Sequence, residues 1–202
     1  MPSWKWRSGQ LDAIPSFEKR HGSPGAGVLF SWAARAVESL HYLDDLDRQF
    51  GEGPRADHDL DLIDVTHARW ATTTSITALD LCAAGLGRVF CGNTNPRREF
   101  ALRYFDSANS HRAEHFRDSI PENVVAWVDA VLRDDRYVEI KQARDWLTHS
   151  RLTRHFAIGP VGRRRLRLGL ESGEVEVRRL VEDARDVASD HVSAFVDLLS
   201  AI

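Results

Sequence analysis

The chain has 202 residues, of which 43% are hydrophobic, 28% charged and 9% aromatic, and its formal net charge is -3. That suits one ordinary soluble domain with its own core, and it excludes general disorder and a uniformly basic nucleic-acid coat. No run approaches the roughly 18 apolar residues of a membrane span, and the cations in residues 1–10 have no apolar leader behind them, so a cytoplasmic protein without a membrane partner is expected. Only Lys5, Lys19 and Lys141 are lysines, which leaves 24 of the 27 basic residues as arginine. The guanidinium is a permanently charged planar fork suited to phosphate and carboxylate. Cys82 and Cys91, in or just after an apolar run, read as small core residues of a reducing compartment.

Residues 1–27 hold three prolines and four glycines among scattered apolar positions, the pattern of a loosely attached, flexible arm. From about residue 28 to 50, Leu29, Trp32, Ala33, Ala36, Leu40, Leu43 and Phe50 recur at steps of three and four, which predicts an amphipathic helix ended by Gly51, Gly53 and Pro54. A longer helix follows from about 60 to 90 through Ile63, His67, Trp70, Ile76, Leu79, Leu86 and Val89. Its middle is apolar on most faces, so it reads as the central helix. Pro96 opens a third helix to about residue 117, with Phe100, Tyr104, Phe105 and Phe116 inward, and Pro121 opens a short fourth around Val124, Trp127, Val128 and Val131. Asp134 and Asp135 can cap a fifth from about 136 to 150.

The period then drops to two. Leu166, Leu168 and Leu170 alternate with Arg165, Arg167 and Gly169, and after residues 171–174 Val175 and Val177 alternate with Glu176 and Arg178, a hairpin signal. A last helix runs from about 179 to the end, with Leu180, Ala184, Val187, His191, Phe195 and Leu198 on one stripe. The expected fold is all-α: an up-and-down bundle of four main helices plus shorter ones, with a small β-hairpin before the C-terminal helix, in a single domain over residues 28–202.

Charge is segregated along this layout. Residues 38–64 carry nine acids against two arginines, and residues 141–167 carry eight cations against Asp145 alone. The two segments suit each other within the chain or across a dimer. Inside the basic one stands Arg144-Asp145-Trp146-Leu147-Thr148-His149. Arg35 with His41 and Arg185 with His191 have similar spacing, so spacing alone does not choose among the three pairs. Context favours the middle one: a polar residue follows the Arg, the His falls near a helix end before Pro160 and Gly162, and the adjoining loop is basic.

This segment resembles the Arg-x4-6-His signature of the HEPN superfamily, helical nucleotide- and RNA-binding domains. The order of elements, with the motif late in a bundle and a short excursion before a final amphipathic helix, is similar as well. The resemblance implies RNA or nucleotide as partner, a homodimer that brings two motifs together, and in some members an antitoxin partner. In the family's nucleases it implies metal-independent RNA cleavage of toxin or defence type, with His149 in acid-base work and Arg144 on the phosphate. A histidine with a pKa near 6.5 suits both proton transfers, and a guanidinium suits the charge that grows on phosphate. Asp145 stands where those nucleases most often carry Asn, which sets a negative charge beside the phosphate that Arg must neutralise. On a regular helix Arg144 and His149 lie about 140° apart, whereas Asp145 and His149 share a face, so Asp145 is expected to orient the imidazole. Arg151, Arg154, Arg163, Arg164, Arg165 and Arg167 are candidate contacts to an RNA backbone.

Two other readings use the same residues differently. One keeps the HEPN-like fold as a non-catalytic module binding nucleotide, RNA or protein, with Arg144 and Asp145 a structural pair and His149 a helix cap. The other is a metal-dependent hydrolase, since His111 and His115 stand at i and i+4, and Glu38 and His41 at i and i+3, spacings at which a bundle can hold a metal. No third and fourth ligands of matching depth declare themselves, so neither metal nor cofactor is expected. His67 and His191, on apolar stripes, read as hydrogen-bonded core or interface residues.

Overall fold

The computed structural model describes residues 4–50, 57–92, 101–105, 117–149, 155–158, 165–170 and 173–202. A 3-10 turn at Gln10–Asp12 leads into α1 (Ala13–His21), then α2 (Pro24–Phe50) and α3 (Asp57–Phe90). A second 3-10 turn, Leu102–Phe105, precedes α4 (Glu122–Leu132) and α5 (Asp135–His149). Strands β1 (His155–Ile158), β2 (Arg165–Leu170) and β3 (Gly173–Glu176) then lead to α6 (Val177–Leu199). The fold is all-α with a small sheet before the last helix. Helices α2, α3, α5 and α6 are the main members of the bundle, and no described helix is long and apolar enough to cross a membrane.

Helix α3 is the central one, packing against α2, α5 and α6. Its Ala68, Ala71, Ile76, Ala78, Leu79, Cys82, Ala83 and Leu86 are buried, which covers most of its circumference. Small residues let the neighbours approach: Gly85 faces the ring of Phe30 on α2, and Arg88 Nη1 donates to the Gly25 carbonyl at 3.2 Å. The start of α2 therefore lies beside the end of α3, and the pair is antiparallel. Helix α6 runs antiparallel to α2 as well, since Phe195 meets Phe30 at 4.9 Å between ring centroids and Ser189 meets His41.

Residues 1–27 are not a loose arm over their described part. Ile14 and Phe17 of α1 are buried, and Phe17 lies edge-on to Phe30 at 5.6 Å. Trp4 stacks on His41 at 4.5 Å, the Trp6 indole N–H donates to Glu38 Oε1 at 3.0 Å, Gln10 Nε2 donates to Asp197 Oδ1 at 3.0 Å, and Arg7 pairs with Asp197. The glycines and prolines that suggest a linker are helix punctuation instead. Gly22 closes α1 in the left-handed region at φ 59°, Pro15 lies in its first turn, and Pro24 opens α2.

The expected third helix is also corrected within its described residues. Leu102–Phe105 is a 3-10 turn with Leu102 and Phe105 buried, and Tyr104 only partly so. The turn is pinned to α3 because the Leu102 N–H donates to Asp80 Oδ1 at 2.8 Å. Residues 93–100 and 106–116, with Phe100 and Phe116, lie outside the described residues.

Asp134 caps α5 as expected, its Oδ1 accepting the Arg136 N–H at 2.9 Å. Tyr137, Ile140, Ala143 and Leu147 form the buried stripe of that helix. The hairpin of β2 and β3 is present, with Leu168 opposite Val175, both buried. It carries a further strand, β1, antiparallel on the other edge of β2, with His155 opposite Leu168. His155-Phe156-Ala157-Ile158 does not alternate apolar with polar residues, so β1 has no hairpin signal of its own. Val177, expected in the hairpin, opens α6 instead.

Candidate functional site

Arg144 and Asp145 lie on the last turns of α5, where it packs against α3, and the helix continues to His149, whose side chain lies outside the described residues. Arg144 Nε is 2.9 Å from Asp145 Oδ1, with the two side chains 30% and 52% exposed. The contact is an ion pair out of line for a hydrogen bond, so Nε is buried with no acceptor among the described residues. Asp145, expected to orient His149, thus has a carboxylate oxygen on Arg144, where it neutralises the cation it follows in sequence.

Two other elements converge here. Asp80 of α3 is partly buried, and burial pushes its carboxyl above the usual range. The Leu102 N–H and the charges of Arg144, Arg103 and Lys141 pull it back without overcoming that cost. Arg103, on the 3-10 turn, donates from Nη2 to Tyr104 Oη at 3.2 Å, and its guanidinium carbon lies 5.0 Å from the Tyr104 ring centre. The Tyr104 hydroxyl, with Asp80 and Asp145 behind it, holds Arg103 more firmly in its charged form. Lys141 lies one turn before Arg144 on α5 and is partly buried.

Of the expected RNA contacts, Arg151, Arg154, Arg163 and Arg164 lie outside the described residues, and so does the side chain of Arg165, which opens β2. Arg167 is 3.3 Å from Glu174 on β3, so this cation has a partner within the sheet. Trp146 packs against the core, and Tyr104 is the partner of Arg103.

The other two Arg/His pairs are structural. His41 is 7% exposed, with Nε2 2.7 Å from Ser189 Oγ. Because Ser189 Oγ donates its only proton to the Arg185 carbonyl at 2.7 Å, His41 Nε2 is the donor in that contact. His191, partly buried, has Nε2 3.0 Å from Asp134 Oδ2. Burial would push the Asp134 carboxyl up, but hydrogen bonds from Arg136 and His191 outweigh it and hold the group at about 2. Arg185 pairs with Asp186 at 2.8 Å.

The metal spacings fare similarly. Glu38 accepts from Trp6 and His41 is engaged by Ser189 and Trp4, so this pair anchors the N-terminal segment. His111 and His115 lie outside the described residues, and among the described residues no three His, Cys, Asp or Glu side chains converge as a metal site. Cys82 is buried in the core, and burial pushes the Cys91 thiol up to about 11.

Comparison with known proteins finds no family model, no curated protein and no solved structure that matches the chain.

Sequence reasoning misses Asp80, Arg103 and Tyr104 as members of this cluster. Asp80 does leave a signal, a lone carboxylate in the apolar run Ala78-Leu79-Asp80-Leu81-Cys82. Arg103 leaves none, because its place follows from the turn that Leu102 pins to α3.

Proposed function

We propose that the chain is a HEPN-like domain that acts on RNA as a metal-independent endoribonuclease of toxin or defence type, working as a homodimer. The observation that supports this reading is selective: the histidines of two Arg/His pairs are engaged by Ser189 and Asp134, whereas Arg144 stands partly exposed on the last turns of α5. In the reaction, the 2'-oxygen of a ribose bonds to the adjacent phosphorus and gives up its proton. The bond from phosphorus to the 5'-oxygen breaks, and that oxygen takes a proton. His149 serves these transfers, and Arg144 holds the phosphate oxygens. Asp145 keeps the guanidinium in place until substrate displaces it. A partner antitoxin belongs to the same proposal.

Two ion pairs favour a second reading, a HEPN-like module that binds nucleotide, RNA or protein without cutting. Asp145 and Glu174 already neutralise Arg144 and Arg167. Incubation with mixed RNA in excess EDTA separates the two. The nuclease reading expects cleavage that Arg144→Ala and His149→Ala abolish; intact RNA at high protein concentration refutes it, and binding of that RNA supports the module.

A further inference from the structure

We infer that the outer face of α2 is a self-association surface, on which a second copy of this chain docks antiparallel about a twofold axis. Among the described residues four large hydrophobic side chains stand exposed, and three of them, Val28, Trp32 and Tyr42, are on this helix at 48%, 56% and 61% exposure. Steps of four, three, four and three join Val28, Trp32, Arg35, Ser39 and Tyr42 into one stripe, opposite the buried Ala33, Val37 and Leu40. A lone exposed apolar residue needs no explanation, but a stripe of Trp, Arg and Tyr holds the side chains that most often anchor protein–protein contacts. Glu38 and Asp45 lie beside and at the end of this stripe against Arg35, a balance that repels a phosphate backbone and favours protein over RNA as the occupant.

The order of charges singles out a second copy. Arg35 and Glu38 stand three residues apart at the middle of the stripe, both exposed. An antiparallel pair of α2 helices with its twofold axis level with residues 36 and 37 therefore sets each Arg35 opposite Glu38 of the second copy. The same register brings Trp32 within one residue of the level of Tyr42 of the second copy, on both sides of the axis. Moving the axis to Arg35 would put two guanidiniums face to face, which like-charge repulsion disfavours. Glu38 is already aimed: the Trp6 indole N–H donates to its Oε1 at 3.0 Å, a neutral contact that fixes the carboxylate and leaves its charge for Arg35 of the second copy. Ser39 turns its hydroxyl back to the Ala36 carbonyl at 2.7 Å, so the centre of the stripe is small and lets the two helices close. One helix from each copy makes a contact at the small end, below about 1,200 Å² in total, so the dissociation constant belongs in the micromolar range.

The inference does not rest on the RNA reading, since the Arg144 segment is on α5 and association is measured without nucleic acid. The test is sedimentation equilibrium of the intact chain from about 1 to 200 µM, a range that brackets a micromolar constant. The wild type should dimerise, and Trp32→Ala, Arg35→Glu and Glu38→Arg should each weaken the dimer about tenfold or more. Either charge reversal alone sets like charges opposite each other twice. An equimolar mixture of Arg35→Glu and Glu38→Arg chains restores both opposite-charge pairs and should recover a dimer close to wild-type strength. Glu38→Gln keeps an acceptor for Trp6 while removing the charge, and it should weaken association severalfold. Circular dichroism of each variant checks folding. A wild type that stays monomeric overturns the surface, as does a dimer that Trp32→Ala and Arg35→Glu leave unchanged, or a mixture of folded charge-reversed chains that fails to pair. A dimer of this kind with RNA left intact keeps the surface and loses the nuclease, whereas a monomer that cuts RNA keeps the nuclease and loses the surface.

Discussion

Gly85→Ala probes the close contact between α2 and α3. A β-carbon at this position would lie 2.1 Å from Phe30 Cε1, 2.6 Å from Cζ and 2.8 Å from Cδ1. Carbon atoms pack at about 3.5–4.0 Å, so ring and helix must part by more than about 1 Å. Phe30 cannot swing aside, because it is 1% exposed and wedged between the rings of Phe17 and Phe195. Overpacking of this kind costs about 3 kcal/mol, and replacing Gly by Ala in a helix returns about 1 kcal/mol. The net loss is about 2 kcal/mol, which in a domain of this size lowers Tm by about 4–8 °C. Urea unfolding followed by circular dichroism, with the slope unchanged, measures it. Adding Phe30→Leu should recover part of the loss, with a coupling of about 1 kcal/mol or more between the two sites. A Gly85→Ala variant as stable as the wild type would refute the close α2–α3 packing.

Phe17→Ala should destabilise the protein by about 3–5 kcal/mol in the same assay, since this side chain is fully buried. A loose arm would give a change within about 0.5 kcal/mol. The Asp134 carboxyl, held at about 2 against an ordinary 3.8, stabilises the fold above pH 3.8, and that contribution disappears as pH falls through about 2. It amounts to about 2 kcal/mol at most, and comparing the acid unfolding of wild type and Asp134→Asn isolates it. Equal loss in both proteins between pH 4 and 2 would show that the His191 and Arg136 contacts do not stabilise the charged form.

Periodicity made most of the bundle legible. Helices α2 to α6 fall within a few residues of their apolar stripes, because one face of each must meet the core. What failed was local chemistry read without its tertiary partner. Gly22 and Pro24 look like a linker until Phe17 is seen between them and the core. Leu102 and Phe105 look like one side of a helix until Asp80 takes the Leu102 N–H. Sequence context already favours Arg144 and His149 among the three Arg/His pairs, and what the structure adds is the partners of His41 and His191. The turn Leu102–Phe105, held to α3 by Asp80, is one that no local pattern announces.

The most direct measurement of the central claim is the fate of one 5'-labelled RNA, and of its all-deoxy counterpart, with the purified chain in EDTA. The expected result is cutting of the RNA alone, with 2',3'-cyclic phosphate and 5'-hydroxyl ends, and none with His149→Ala. Intact RNA, or a His149→Ala variant that cuts as fast as the wild type, would contradict it.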